Sequence, residues 1–161
     1  MTVKIDRKIV ELAEKLIKRK WVLATAESCT GGWLAKSCTD LAGSSAWFER
    51  GYVTYSNQSK NEMLGIDMAL IEEHGAVSEE TVGAMVTGIL EQSPAHIAVA
   101  ISGIAGPDGG TEAKPVGIVC FGWMVRGEAR IVKTVHFDGD RKAVRRQAVE
   151  YAVNGLVGLI G

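Results

Sequence analysis

Glu27, Ser28 and Cys29 place a carboxylate, a hydroxyl and a thiol side by side, and Thr30, Gly31 and Gly32 follow. A serine becomes a nucleophile only when a base takes its proton. A lysine whose amine is neutral can do that, if burial or nearby positive charge lowers its pKa. Lys60 is the candidate base, and Tyr55 is placed to relay a proton or to orient the amine. Cys29 is the rival nucleophile, because a thiol at a helix N-terminus tends to have a depressed pKa. Each residue also has an ordinary reading: Ser28 or Thr30 as the N-cap of a plain strand–helix turn, Cys29 as a small buried hydrophobe, Lys60 as a solvated surface lysine. Glu27 reads equally as a carboxylate accepting backbone hydrogen bonds or as a ligand contact.

The elements around this run decide which reading applies. Trp21 to Thr25 has the β-branched and apolar composition of a buried strand. Thr30 to Leu41 has helical spacing, so Ser28 is expected at the carboxyl end of a strand. Backbone N–H groups and the helix dipole attract negative charge there, which suits an oxyanion or a phosphate. Upstream, Ile5, Ile9, Leu12, Ala13, Leu16 and Ile17 predict an amphipathic first helix. Downstream, a strand over Trp47 to Thr54 leads into the polar Tyr55 to Lys60, and short helices are expected over Asn61 to Leu64 and Met68 to His74. Ser78-Glu79-Glu80 starts a longer helix, with a capping hydroxyl and an acidic first turn. A strand over Ile97 to Ser102 runs into the glycine-rich Gly103 to Gly110. Two further strands, Val116 to Met124 and Ala129 to Phe137, flank Arg126-Gly127, a hairpin turn. Asp140 is the expected N-cap of the last helix, where Arg141 and Arg145 are spaced to clamp a phosphate or to form a solvated face.

Alternating strands and helices ending in a hairpin and a helix predict an α/β fold, a three-layer α/β/α sandwich on a mixed sheet. The length of 161 residues fits a single domain over 1–161. The segments Ser28 to Gly32, Tyr55 to Lys60 and Ser102 to Gly110 all end strands, so strands lying side by side would bring them to one edge. A net charge of −1 gives no basic field for nucleic acid. No apolar run approaches the roughly 20 residues of a membrane span. Three cysteines without CxxC spacing and three scattered histidines give no disulfide framework and no metal centre, and the chain reads as a cytoplasmic protein of a reducing compartment. The glycine loop matches neither the P-loop nor the dinucleotide fingerprint.

Taken together, these segments resemble the CinA C-terminal family, in particular its stand-alone nicotinamide-nucleotide amidohydrolases. The resemblance rests on Thr25 to Gly32, Gly43-Ser44-Ser45, Gly51 to Asn57 with Lys60, and His74 to Ser78. It continues through Ser102 to Gly110, Lys114 to Gly117, and Gly139-Asp140-Arg141 with Arg145. It spans nearly the whole chain. Because the family includes catalytically silent members, the presence of Ser28, Tyr55 and Lys60 is informative.

The resemblance implies a mixed sheet of five or six strands, a homodimer, and deamidation of nicotinamide mononucleotide to nicotinate mononucleotide and ammonia in pyridine-nucleotide recycling. By analogy Ser28 is the nucleophile, Lys60 the general base and Tyr55 its assistant. Substrate contacts are expected from Glu27, Thr30, Gly31, Gly32, Ser45, Asn57, Ser102, Gly103, Ile104, Ala105, Gly106, Arg141 and Arg145. No metal or organic cofactor is required. The alternative from another functional class is a non-catalytic nucleotide-binding or regulatory module that keeps the pocket without turnover.

Overall fold

In the computed structural model, which describes residues 3–161, the interior strand β1 (Leu23–Glu27) is buried along its whole length. It pairs in parallel with β2 (Phe48–Val53) on one side and with β3 (Ile97–Gly103) on the other. The hairpin β4 (Ile118–Val125) and β5 (Ile131–His136) continues the sheet antiparallel, giving the order β2-β1-β3-β4-β5. The mixed sheet therefore has five strands. Helices α1 (Val3–Arg19), α2 (Trp33–Thr39) and α6 (Arg141–Ile160) cover one face. Helices α3 (Asn57–Leu64), α4 (Met68–His74) and α5 (Glu79–Gln92) cover the other, completing three layers.

Side-chain alternation along the strands assigns the faces. Leu23, Ile97, Val99, Ile101, Phe121 and Trp123 point towards α1 and α6, joining Ile5, Ile9, Leu12 and Leu16 in one core. Ala24, Ala26, Ala98 and Ala100 point the other way, towards Val82, Met85, Val86 and Ile89 of α5. Small residues let α5 lie close to the sheet, and a Cβ on Gly122 would come within 2.7 Å of the Val82 carbonyl.

Several boundaries differ from expectation by a few residues, and three of them bear on the site. β1 starts at Leu23 rather than Trp21, because the Trp21 N–H still donates to Leu16 O at the end of α1. Ala26 and Glu27 therefore belong to the strand. α2 starts at Trp33 rather than Thr30, because Gly31 (φ 58) and Gly32 (φ 103) take left-handed conformations. α3 starts at Asn57, four residues before the expected Asn61, since Ser56 caps it by accepting the Ser59 N–H. Lys60 is thus a helix residue facing inward, not part of a polar loop.

Candidate active site

Parallel pairing of β2, β1 and β3 puts their carboxyl ends on one edge of the sheet, where Ser28, Thr54–Tyr55 and Gly103–Gly106 meet. The antiparallel hairpin returns the chain to the same edge, and Asp140 caps α6 there by accepting the Ala143 N–H. A cavity of about 270 Å³ opens at this edge. Ser28, Tyr55, Lys60, Ser102, Gly103, Ile104, Ala105, Gly106 and Arg141 line it.

At its floor the Lys60 ammonium nitrogen Nζ lies 3.1 Å from Ser28 Oγ. Nζ also donates to Thr54 O at 2.7 Å and to Tyr55 O at 3.3 Å. All three acceptors are uncharged, and the Lys60 side chain is wholly buried. Burial in the absence of a carboxylate lowers its pKa from 10.5 to about 8. A neutral amine keeps two donors, enough for the two carbonyls, and turns its lone pair to the Ser28 hydroxyl. When Lys60 is charged, the same hydroxyl donates instead to Tyr55 O, 3.3 Å away. Both protonation states leave Lys60 Nζ and Ser28 Oγ hydrogen-bonded.

Glu27 is fixed as a structural carboxylate. Its Oε1 accepts from Thr30 Oγ1 at 2.7 Å and Leu34 N at 2.8 Å, and Oε2 accepts from Ala35 N at 3.0 Å. These contacts take up the Leu34 and Ala35 N–H groups in the first turn of α2 and the Thr30 hydroxyl. Leu34 and Ala35 therefore have their N–H groups committed to Glu27, and Thr30, Gly31 and Gly32 face a neighbouring cavity. The Cys29 N–H, next to Ser28, donates to no protein oxygen among the described residues. Burial pushes the Cys29 thiol up to about 11, so it is not the activated thiolate that its position suggested.

The two arginines separate. Arg141 lines the cavity, donating to Gly106 O at 2.9 Å and to the Tyr55 hydroxyl at 3.4 Å. Arg145 holds the other side of the Ser28 turn, donating to Cys29 O at 2.9 Å and Thr30 O at 3.1 Å while lying over the Trp33 ring. With Thr30, Gly31 and Gly32 it lines a neighbouring cavity instead. The expected paired clamp is not formed. Ser45 is exposed in the 3-10 turn Ser44–Ala46 just before β2, and the pairing Leu23↔Phe48 sets that end beside the start of β1, at the edge opposite Ser28. Asn57 is exposed on the first turn of α3. Within this chain neither Ser45 nor Asn57 lines the cavity.

Cavity residues that were not singled out as substrate contacts are Cys29, Ala76, Val77, Asp108 and Gly109. All but Cys29 lie in short loops around glycines, where periodicity is silent. Lys114 ties two of those loops together, donating to His74 O at 2.7 Å.

Residues 6–160 match the CinA C-terminal domain family. The chain belongs to that family. This CinA domain is 53% identical over 156 residues to the nicotinamide-nucleotide amidohydrolase PncC of Escherichia coli K12, with 94% of each chain covered. It is 52% identical to the PncC of Pseudomonas putida, with 92% of each covered. The crystal structure of the competence/damage-inducible protein CihA from Agrobacterium tumefaciens superposes with a TM-score of 0.97 at 36% identity, covering 100% of this chain and 98% of that one. No described helix of the CinA domain is long and apolar enough to cross a membrane.

Proposed function

We propose that this CinA domain is an amidohydrolase that deamidates nicotinamide mononucleotide to nicotinate mononucleotide and ammonia. The observation that carries the mechanism is the buried Lys60 Nζ at 3.1 Å from Ser28 Oγ, with only neutral acceptors around it. The similarity to amidohydrolases of nicotinamide nucleotides supports the substrate.

In the first half-reaction Ser28 Oγ attacks the carboxamide carbon as Lys60 Nζ takes the hydroxyl proton. The Cys29 N–H is the donor we assign to the resulting oxyanion. The C–N bond then breaks, Lys60 returns the proton to the leaving nitrogen, and ammonia departs from an ester on Ser28. In the second, Lys60 takes a proton from water as its oxygen attacks the ester. The C–O bond breaks and the proton returns to Ser28 Oγ, releasing the carboxylic acid, which gives its remaining proton to solvent and leaves as the carboxylate. Tyr55 assists through its carbonyl, which holds the amine in line.

The substrate favours both steps. Its pyridinium ring withdraws electrons from the amide, and its positive charge near Lys60 disfavours the ammonium form. Arg141 is the phosphate ligand in this reading, because it lines the cavity while Arg145 is committed to the Ser28 turn. Recycling of pyridine nucleotides in the cytoplasm by a single-domain homodimer completes the proposal; the three free cysteines fit a reducing compartment.

Ammonia release is the test, measured with nicotinamide mononucleotide, nicotinamide riboside and free nicotinamide. We expect the mononucleotide to be the preferred substrate by kcat/KM. Tight binding of the mononucleotide without ammonia release would instead identify a non-catalytic binding module.

A further inference from the structure

Tyr55 faces both ends of the cavity. Its carbonyl accepts from Lys60 Nζ and from Ser28 Oγ, each at 3.3 Å. Its phenol oxygen accepts from Arg141 Nη2 at 3.4 Å, while Arg141 Nη1 donates to Gly106 O at 2.9 Å. One guanidinium therefore joins the β2–α3 turn to the glycine-rich loop after β3. One residue, Tyr55, runs from that guanidinium to the proton-transferring pair.

The two ends of this link are held unequally. The Tyr55 main chain is fixed by its contacts with Ser28 and Lys60 and by the preceding Thr54 N–H, which donates to Glu27 O at 2.9 Å. The residue is 62% exposed, and the 3.4 Å bond of its phenol to Arg141 is longer than ordinary N–H···O distances. A phosphate is charged and takes guanidinium donors in pairs, so it competes well against a neutral phenol. Nη2 is the donor it would take over.

We propose that Arg141 senses the phosphate of the substrate and that Tyr55 carries the signal to the Ser28–Lys60 end of the cavity. When phosphate arrives, Nη2 exchanges the phenol for a phosphate oxygen, and the freed Tyr55 ring closes over the pyridinium ring. The inference rests on the proposed nicotinamide-nucleotide substrate. Closure is favoured because a cationic ring attracts the face of an aromatic one. It also excludes water from the reacting amide. The phosphate consequently raises kcat as well as affinity, which simple anchoring by Arg141 does not do.

The test compares nicotinamide mononucleotide with nicotinamide riboside in wild type, Tyr55→Phe and Tyr55→Ala. In wild type the phosphate is expected to raise kcat by about 10-fold or more, in addition to lowering KM. Tyr55→Phe keeps the ring and the carbonyl but lacks the oxygen that Arg141 holds, so the ring closes with either substrate. Its kcat for the riboside should rise towards that for the mononucleotide, while the KM difference between the two remains. Tyr55→Ala should lower kcat for both. A phosphate effect confined to KM in wild type, or an unchanged kcat ratio in Tyr55→Phe, overturns the inference and leaves the deamidase reading standing. No turnover of the mononucleotide by folded wild type overturns both.

Discussion

Glu27 Oε1 accepts the Leu34 N–H at 2.8 Å, so the residue before Ser28 caps the helix that follows it. The Ser28 turn is thereby held by a buried carboxylate that does not line the cavity. Hydrogen bonds to a charged acceptor contribute more than neutral ones. We expect Glu27→Gln to destabilise the fold by about 1–3 kcal/mol, because an amide presents donors to at least one of the N–H and O–H groups that the carboxylate satisfies. Urea denaturation monitored by circular dichroism reads this directly. A shift within error would remove Glu27 from the architecture of the turn.

Lys60 should act against stability while it serves the site. Its folded pKa of about 8 lies below the 10.5 of the free group, so the unfolded chain binds more protons between these values. The resulting penalty is complete below pH 8, about 3 kcal/mol from the size of the shift, and it vanishes above pH 10.5. Stability contributed by this site therefore rises with pH through that window. Lys60→Met, which keeps the length and drops the charge, should be inactive yet more stable than wild type at pH 7, with the difference shrinking by pH 10. Denaturation curves for both proteins at the two pH values check the sign.

The same amine sets the rate profile. The proposed mechanism needs neutral Lys60, so kcat/KM should rise tenfold per pH unit below about 8 and level off above it. With a cationic ring bound beside the amine, the break in kcat should fall at lower pH than the break in kcat/KM. Steady-state kinetics from pH 6 to 9.5 would show both limbs. A flat profile across this range would exclude Lys60 as the titrating base.

Much of this arrangement was legible before the fold was known, because hydrophobic spacing marks which segments are strands and which are helices, while their pairing comes from the structure. Once Ser28, Tyr55 and Ser102 were recognised as strand-terminal, a parallel sheet had to gather them. What sequence spacing did not reveal were effects of local backbone geometry. Left-handed Gly31 and Gly32 delay α2 and hand its N-terminus to Glu27. The Ser56 cap turns Lys60 inward. Ser45 was misplaced because a motif records sequence order, whereas the parallel register sends the start of β2 to the far edge.

Cys29 should be dispensable for the chemistry. Burial raises its thiol to about 11, so alkylation by iodoacetamide at pH 8 should be slow in the folded protein and fast after denaturation. Cys29→Ala should retain activity within a few-fold, since the variant keeps the backbone N–H assigned to the oxyanion. Peptide mass mapping and an ammonia assay measure the two effects. Rapid alkylation with parallel loss of activity would return Cys29 to consideration.

Ammonia and nicotinate mononucleotide release from nicotinamide mononucleotide, compared between wild type, Ser28→Ala and Cys29→Ala, tests the central claim most directly. The account predicts turnover by wild type and by Cys29→Ala, and none by a Ser28→Ala variant whose circular dichroism and melting match wild type. Sustained turnover by Ser28→Ala would contradict it.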